Sequence, residues 1–362
     1  MEKELKFDAI GVLDFDHWTD AKKFSYSPPL LGPNDIELKI EVCAVCGSDI
    51  HAANGDWGRT YTPLAVGHEI VGNITALGDN VDKIKFNLGD RVGVGAQINS
   101  CGKCLRCLRN RQQNCKDFVG TYQGVDKKNG FETQGGYASH IRVNSDFVFR
   151  IPDQLDSTIV APLLCGGITG FKPLITGEVK QGSKVGVIGV GGIGHMSILF
   201  AKALGAEVTA ISRSNRKKED ALKLGADHFV ATAEKGSLDS HVDTLDLLVM
   251  TASSFSESDI DQTLSLLVAG GRAIFITNPP AQEKLTLTPP TMLSNEYHIG
   301  GSAIGSPHDI EYMLKLAAEK QIKPWVQTVD INEESVSDVW KKMVKGDVRY
   351  RYVFTGYDKY FK

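Results

Sequence analysis

Residues 184–196, KVGVIGVGGIGHM, join an apolar strand-like run to the start of a helix-like run. The glycines at the junction stand in a GxGxxG frame, which allows a tight turn, a close approach of the backbone to a pyrophosphate, and close packing of helix on strand. The stretch therefore predicts a dinucleotide-binding turn; the alternative is a tight turn that binds no ligand. The expected cofactor-binding residues here are Gly189, Gly191, Gly192, Ile193 and Gly194.

The sequence around this turn alternates between strand-like and helix-like segments. Runs such as EVTAIS, LDLLVMTA and GRAIFIT alternate with runs such as RKKEDALKL and IDQTLSLL. This alternation is typical of a parallel sheet with helical crossovers. We therefore expect a doubly wound nucleotide-binding domain over residues 158–300.

The end of the strand-like run EVTAIS indicates which dinucleotide binds. An Asp or Glu about 20 residues beyond the glycines would bind the ribose 2′-hydroxyl of NAD, but this run continues into SRSNRKK. Ser212, Arg213 and Lys217 lie there, and an Arg side chain pairs with a phosphate but cannot accept a hydrogen bond from a hydroxyl. We therefore expect NADP(H), bound through its 2′-phosphate; the alternative is a solvated basic helix start.

The segments on either side of the alternating region have a different pattern of apolar and polar residues. Residues 1–157 contain short apolar runs separated by turn clusters, which is typical of a β-rich domain. Residues 301–362 contain two amphipathic helical patterns and a last strand, YRYVFTGY. No low-complexity linker precedes this tail, so we expect it to return to the first domain.

The composition is that of an ordinary globular protein. Of 362 residues, 42% are hydrophobic, and the formal net charge of -4 provides no basic field for nucleic acid or an anionic membrane. The N-terminal segment lacks a signal-peptide pattern and no run of 18 apolar residues occurs, so we expect a cytoplasmic protein. Seven cysteines, an odd number in a reducing compartment, favour metal ligands or buried thiols over a disulfide framework.

Four of these cysteines lie in one short segment, CGKCLRCLRNRQQNC. Cys101, Cys104, Cys107 and Cys115 can surround one tetrahedral Zn²⁺ and order a loop that has no core of its own. An iron–sulfur cluster also uses four cysteines, but this spacing suits zinc better. We therefore expect a structural zinc in loop 101–115, the alternative being four free surface thiols.

A second group of candidate metal ligands is spread along the chain. Cys46 lies in CAVCGSDIH, His68 and Glu69 lie in GHEIVG, and Cys165 lies in APLLCGG. Two thiolates and one imidazole with an open fourth position describe a catalytic zinc. A single cysteine among apolar neighbours is more commonly a buried thiol, so this prediction depends on the combination.

Taken in order, the segments CAVCGSDIH, GHEIVG, the four-cysteine loop, APLLCGGIT and GVGGIG resemble the zinc-dependent medium-chain alcohol dehydrogenases over essentially the whole chain. VGVGAQ, QGGYA and KGDVRYRYV are similar to the cinnamyl alcohol dehydrogenase branch, especially its fungal NADP-dependent members. The resemblance implies an α/β protein with a GroES-like β-rich catalytic domain and a Rossmann domain. It also implies two zinc ions per chain, one catalytic and one structural.

Several roles in the active site follow from the same resemblance. It implies a catalytic zinc bound by Cys46, His68 and Cys165, with Glu69 as a displaceable fourth ligand. Asp49 is then expected to accept the ring N–H of His68 and so fix its tautomer.

Proton transfer is assigned by the resemblance to the helix-like segment that follows Cys46. Ser48 is expected to hydrogen-bond the substrate oxygen at the zinc, and His51 to pass its proton outward. Cys43 is left over and is expected to be a buried thiol near the site.

The implied activity is the reduction of aldehydes to primary alcohols by NADPH. Trp57 and Ile304 are expected to line the substrate pocket, core packing being the alternative for Trp57. Ala303 and Ile304 stand where plant members of the branch commonly carry a larger aromatic residue beside an aliphatic one, which predicts a roomier pocket. We therefore expect broad specificity for aromatic, cinnamaldehyde-like aldehydes and medium-chain aliphatic aldehydes.

Two other functions are compatible with parts of this pattern. One is an NAD-dependent polyol dehydrogenase of the same superfamily. The other is a non-catalytic, NADPH-binding redox sensor. In all three cases we expect a small-molecule ligand and no nucleic acid or membrane partner. The resemblance also implies a homodimer, with GRAIFIT, residues 271–277, as the sheet edge that pairs with its twin.

Overall fold

The structure is a computed structural model that describes residues 5–252, 257–277, 287 and 289–362. The chain forms two compact units, the first made of Met1–Cys165 and Gly305–Lys362 and the second of Gly166–Ile304. The first unit ends at Cys165, several residues after the boundary at residue 157 that the change in sequence pattern predicts. The reason is that Leu163 and Leu164 are buried in the first unit, where a Cβ on Gly93 would lie 2.8 Å from Leu164.

The secondary structure of the described residues is as follows. The strands are β1 (Phe7–Gly11), β2 (Lys22–Tyr26), β3 (Asp35–Ala44), β4 (Glu69–Leu77), β5 (Arg91–Val94), β6 (Gln97–Asn99), β7 (Val119–Gly120), β8 (Val125–Asp126), β9 (Phe131–Glu132), β10 (His140–Asn144), β11 (Val148–Arg150), β12 (Lys184–Ile188), β13 (Glu207–Ser212), β14 (His228–Ala231), β15 (Leu245–Met250), β16 (Leu267–Phe275), β17 (His298–Gly301), β18 (Val326–Asp330) and β19 (Arg351–Thr355). The helices are α1 (Gly47–Ala53), α2 (Leu105–Leu108), α3 (Ser157–Val160), α4 (Gly166–Thr176), α5 (Gly194–Ala203), α6 (Lys218–Lys223), α7 (Glu257–Leu264), α8 (Pro289–Asn295), α9 (Pro307–Glu319), α10 (Glu333–Val344) and α11 (Tyr357–Tyr360).

The first unit is built on a β-sheet in the order β11-β5-β4-β3-β19-β18, with β10 also paired to β3. Strand β19 of the tail pairs antiparallel with β3, so that Phe354 lies opposite Cys43. The tail therefore completes the sheet of the first unit. Aromatic residues fill the core: the rings of Tyr137 and Phe354 meet edge to face with centroids 5.1 Å apart, and Trp340 is fully buried beside Tyr137.

The second unit is a parallel sheet in the order β14-β13-β12-β15-β16-β17. Its first strand in the chain, β12, is central, and the chain extends the sheet first to one side and then to the other, as in a doubly wound Rossmann fold. The central strands β12, β13 and β15 are buried over most of their length, as expected of a parallel sheet covered by helices. The α/β fold class predicted from the sequence is therefore confirmed.

The predicted edge of this sheet is wrong. GRAIFIT was expected at the edge, but its strand β16 is paired on both sides, with β15 and with β17. Strand β17, HIGG, is short and largely exposed, which is why its sequence carries little strand signal. Within the described residues, β17 is the terminal strand on that side.

None of the described helices is, by itself, both long and apolar enough to cross a bilayer. One bent pair, Ser157–Leu164 followed by Gly166–Thr176, meets the requirement by length and composition only.

Candidate active site

The segment CAVCGSDIH forms the end of β3 and the start of α1. Cys46 is the N-cap of this helix, and its backbone N–H donates to Asp49 Oδ2 over 2.9 Å. The Cys46 thiol lies 3.7 Å from the Ser48 hydroxyl oxygen. The helix start therefore holds a thiol and a hydroxyl side by side.

The structure brings Cys46 together with the other three predicted ligands. The ligand atoms of Cys46, His68, Glu69 and Cys165 lie within 4.8 Å of one another, and all four residues are buried. His68 and Glu69 enter the cluster from the start of β4, directly after Gly67, whose φ is +102° and where a Cβ would come within 2.6 Å of the Tyr137 ring.

The chemistry of this cluster fits a zinc ion. Thiolate, imidazole and carboxylate are the donors that Zn²⁺ takes in proteins. Among the described residues, His68 Nε2 is buried with no hydrogen-bond partner. A hydrogen bond between the two thiols lowers the pKa of Cys46 well below its ordinary value and raises that of Cys165. A buried lone pair on nitrogen and a readily formed thiolate would both be satisfied by a metal cation.

A buried ion pair lies beside the cluster. Arg351 of β19 donates a hydrogen bond to Glu69, and both side chains are almost completely buried. Burial raises the pKa of Glu69 to about 7, although the positive charge of Arg351 opposes this shift. Glu69 is therefore shared between the ligand cluster and an arginine that the sequence analysis did not single out.

Asp49 lies behind His68, on the side away from the cluster. Its carboxylate accepts hydrogen bonds from the backbone N–H groups of Cys46 and Gly67 and from the Tyr137 hydroxyl, at 2.9, 3.2 and 3.2 Å. Oδ1 of Asp49 also lies 3.2 Å from His68 Nδ1. This contact leaves Nε2 of His68 directed at the other ligands, as the predicted tautomer requires.

His51, one turn after Ser48 on α1, is held by an acidic partner. Its Nδ1 atom lies 2.8 Å from Asp56 Oδ2, and Asn54 donates to the same carboxylate oxygen over 2.7 Å. The ring of Trp57 stacks on the His51 ring with centroids 5.3 Å apart. Trp57 is 45% exposed, so core packing does not explain it.

The four-cysteine loop forms a second candidate metal centre. The Sγ–Sγ distances are 3.5, 3.6, 3.8 and 3.9 Å for the pairs 101–115, 104–107, 104–115 and 101–107. Four thiolates around one zinc at about 2.3 Å would stand about 3.8 Å apart. Backbone hydrogen bonding lowers the pKa of Cys104 to about 6, whereas burial raises that of Cys115 to about 11.

A cavity of about 590 Å³ lies at the carboxyl end of β12 and β13 in the second unit. Gly189, Gly191, Ser212, Arg213 and Lys217 line it. A Cβ added at Gly191 would meet nothing within 4 Å, so the backbone there is open to a ligand.

The other residues of the glycine-rich turn lie where α5 begins. Ile193 is the residue before the helix and Gly194 is its first residue, with Gly192 just before them. A Cβ on Gly194 would overlap the carbonyl oxygen of Gly189, which explains the glycine at the start of the helix. These three residues are absent from the described cavity lining.

Positive charge is concentrated at one end of the cavity. Lys217 Nζ donates to the backbone carbonyl of Val190 over 2.5 Å, and burial lowers the pKa of Lys217, with Arg216 and Arg213 contributing in the same direction. A bound anion would relieve the repulsion among these three side chains. Arg216 also lines the cavity.

Comparison with known proteins identifies the family. Residues 32–153 match the alcohol dehydrogenase GroES-like domain, and residues 192–319 match the zinc-binding dehydrogenase family. The NADP-dependent alcohol dehydrogenase 6 of Saccharomyces cerevisiae is 44% identical over 357 residues, which cover 98% of this chain and 98% of the yeast protein. This chain belongs to the zinc-dependent medium-chain alcohol dehydrogenases.

Two further relatives indicate the branch of the family to which the alcohol dehydrogenase belongs. The cinnamyl alcohol dehydrogenase SbCAD4 of Sorghum bicolor has a similar structure, with a TM-score of 0.90, 33% identity, and coverage of 97% of this chain and 98% of the sorghum chain. A mannitol dehydrogenase of Petroselinum crispum is 38% identical over 332 residues, covering 91% of this chain and 96% of that protein. The alcohol dehydrogenase belongs to the cinnamyl alcohol dehydrogenase branch, as its sequence motifs predict.

Two remaining predicted residues of the alcohol dehydrogenase are not members of either ligand cluster. Cys43 is fully buried in β3, where burial raises the pKa of its thiol well above the ordinary value. Ile304 is the last residue of the second unit, with φ of +30°. Cys43 therefore is the buried thiol that was expected.

Sequence reasoning missed three residues that contact the ligand cluster or Asp49 but lie far from their partners along the chain. Arg351 could have been noticed, because a charged residue inside the apolar run RYVFT needs a buried partner. Tyr122, whose hydroxyl lies 2.9 Å from His68 Nδ1, and Tyr137 carry no comparable signal.

Proposed function

We propose that this chain is an NADP(H)-dependent alcohol dehydrogenase that reduces aldehydes to primary alcohols. The observation that carries the proposal is the buried cluster of Cys46, His68, Glu69 and Cys165 with the Ser48 hydroxyl beside it. A zinc donor set adjacent to a proton donor is the arrangement that carbonyl reduction needs.

Cys46, His68 and Cys165 would hold the catalytic zinc, and Glu69 would be the displaceable fourth ligand. When bound, zinc supplies a Lewis acid that polarises the carbonyl, and NADPH supplies the hydride. Glu69 can leave the ligand cluster without losing all its partners, because Arg351 already donates to its carboxylate. The four-cysteine loop would hold the second, structural zinc.

Proton delivery would run along α1. The Ser48 hydroxyl, next to the Cys46 thiol, donates a proton to the product oxygen. His51 replaces that proton through Nε2, since its Nδ1 is held by the Asp56 carboxylate. His51 is half exposed and can therefore exchange protons with water.

The basic end of the cavity supports NADP(H) as the cofactor. Ser212, Arg213 and Lys217 would bind the 2′-phosphate, and the open backbone at Gly191 would lie against the pyrophosphate. The NADP-dependent relative in yeast supports the same choice.

For the substrate, we propose aromatic, cinnamaldehyde-like aldehydes and medium-chain aliphatic aldehydes. The exposed indole of Trp57 offers a flat apolar face beside the predicted proton donor His51. A polyol dehydrogenase is the second candidate, because a mannitol dehydrogenase is among the relatives.

The deciding experiment compares kcat/KM with NADPH and with NADH for cinnamaldehyde, benzaldehyde, hexanal and a ketose. We expect NADPH preference and turnover of several aldehydes. NADH preference, or activity confined to the ketose, would favour the polyol dehydrogenase. Cys46→Ser should abolish turnover; if it leaves activity unchanged, the catalytic cluster is assigned wrongly. NADPH binding without turnover of any substrate would favour the redox sensor.

We also propose a cytoplasmic homodimer. All seven cysteines are free, which suits a reducing compartment. Edge strand β17 would pair with its twin in the partner. A solution mass near that of one chain would refute the dimer.

A further inference from the structure

Tyr122 contacts the metal-ligand cluster through His68. Its hydroxyl oxygen lies 2.9 Å from His68 Nδ1, closer than the 3.2 Å that separates Nδ1 from Asp49 Oδ1. The Tyr122 and His68 rings also lie against each other, with centroids 5.3 Å apart. His68 therefore has two neighbours at the same nitrogen.

Tyr122 and Asp49 both contact the ring nitrogen of His68 that faces away from the ligand cluster. With Nε2 of His68 directed at the ligand cluster, the imidazole proton is on Nδ1. The Tyr122 oxygen can accept that proton together with Asp49 Oδ1, and the O–H of Tyr122 can donate to the Asp49 carboxylate. Tyr122 can therefore hydrogen-bond both the imidazole and the carboxylate.

We propose that Tyr122 is a positioning residue that, together with Asp49, fixes the His68 ring for metal binding. The proposal rests on the catalytic zinc assigned above. A phenol is a rigid side chain with its oxygen at a fixed distance from the backbone, so it restricts the rotation of the imidazole more than a carboxylate contact alone.

The backbone of Tyr122 is itself anchored. Strand β7 pairs with β6, and these two strands flank the four-cysteine loop. The Thr121 hydroxyl donates to the carbonyl of Gly95 over 2.5 Å. Tyr122 follows directly, so the segment that leaves the four-cysteine loop ends against the catalytic cluster.

Tyr61 provides a matched control. Its hydroxyl donates to the backbone carbonyls of Thr133 and, over 3.2 Å, of Gly124, close to Tyr122 in the chain. The described contacts of this hydroxyl involve no metal ligand. Tyr61→Phe and Tyr122→Phe therefore delete the same atom from neighbouring sites, one without and one with a contact to His68.

The test is the rate at which zinc leaves the purified enzyme for a chromogenic chelator. Cys46→Ser identifies the kinetic phase that belongs to the catalytic site, and the other phase serves as an internal reference for folding. We expect Tyr122→Phe to lose the catalytic zinc about 10-fold to 100-fold faster than wild type. Tyr61→Phe should match wild type, and the reference phase should not change.

A release rate for Tyr122→Phe equal to wild type, or an equal acceleration by Tyr61→Phe, would overturn the positioning role. A wild-type enzyme with no zinc-release phase that Cys46→Ser removes would instead overturn the proposed catalytic zinc itself. In the cobalt-substituted enzyme we expect Tyr122→Phe to shift the visible absorption of the catalytic site, and Tyr61→Phe to leave it in place.

Discussion

The guanidinium of Arg351 donates a hydrogen bond to the carboxylate of Glu69, a residue 282 positions earlier in the chain. Both side chains are almost completely buried, so each charge compensates the other for the loss of water. The pair ties β19 of the C-terminal tail to the start of β4, next to the predicted zinc ligands. The tail therefore contributes charge to the site as well as a strand to the sheet.

Removing Arg351 should destabilise the enzyme strongly. Arg351→Met removes the buried arginine that compensates the charge of the Glu69 carboxylate, and we expect a loss of about 3–5 kcal/mol in the free energy of unfolding. Chemical unfolding of the zinc-loaded enzyme measures this loss. Arg59→Met is the control, since the Arg59–Asp16 pair is exposed and should be worth less than about 1 kcal/mol. Equal losses in the two variants would contradict the prediction.

Asp56 should matter for proton transfer although it lies outside the ligand cluster. The hydrogen bond from His51 lowers the pKa of Asp56, so a carboxylate holds the imidazole. Asp56→Asn removes that charge, and we expect kcat to fall by about tenfold or more, with the KM for NADPH unchanged. Asp14→Asn is the matched control, because Asp14 contacts the exposed His17 at the same distance of 2.8 Å. A wild-type kcat in Asp56→Asn would argue against His51 as the relay.

The four-cysteine loop should bind one zinc that can be removed separately. Cys104→Ser replaces one of four thiolates, so we expect the zinc content to fall by about one ion per chain and the unfolding temperature to drop. Elemental analysis and thermal unfolding report the two effects. Cys43→Ala, which removes the thiol outside both clusters, should retain both ions. Zinc loss from Cys43→Ala but not from Cys104→Ser would reverse the assignment.

Lys217 should discriminate NADPH from NADH. Lys217→Met removes one cation from the end of the cavity, and the loss of a charged hydrogen bond of about 1.5–3 kcal/mol should raise the KM for NADPH about 10-fold to 100-fold. The KM for NADH should change far less. Lys218→Met, one residue further and absent from the described cavity lining, is the control. An equal effect on both cofactors would place the 2′-phosphate elsewhere.

His140 should make the stability depend on pH. Burial lowers the pKa of His140 from its ordinary value of 6.5, with Lys39 and Arg142 adding to the shift and Glu37 opposing it. The unfolded chain therefore takes up a proton at a higher pH than the folded one, so the contribution of His140 to stability falls as the pH drops below about 6.5. Comparing the unfolding free energies of wild type and His140→Gln at about pH 8 and about pH 5.5 isolates this residue. A difference that stays constant with pH would contradict the prediction.

Local motifs made much of this molecule predictable. The GxGxxG turn between β12 and α5 and the four cysteines of loop 101–115 are each contained in one short segment. Their geometry follows from neighbouring residues, so spacing alone indicates it. The fold class and the family membership were predicted correctly for this reason.

The edge of the second sheet was not predictable in the same way. β16 has the apolar composition of a strand. β17 has only four residues, and three of them, His298, Gly300 and Gly301, have a weak preference for strands. Its pairing with β16 depends on the position of the preceding helix, which the alternation of apolar and polar residues does not encode.

By itself, the sequence determined the fold class, the family, the glycine-rich turn and the spacing of the four-cysteine loop, and it indicated the residue types of the candidate active site. Only the tertiary structure decided that Arg351 meets Glu69 and that Tyr122 meets His68. The physical reason is separation along the chain: a contact within one turn or loop is set by backbone geometry, whereas a contact across a sheet is set by how the whole core packs. These distant polar contacts are buried, and burial is what requires each of them to have a partner.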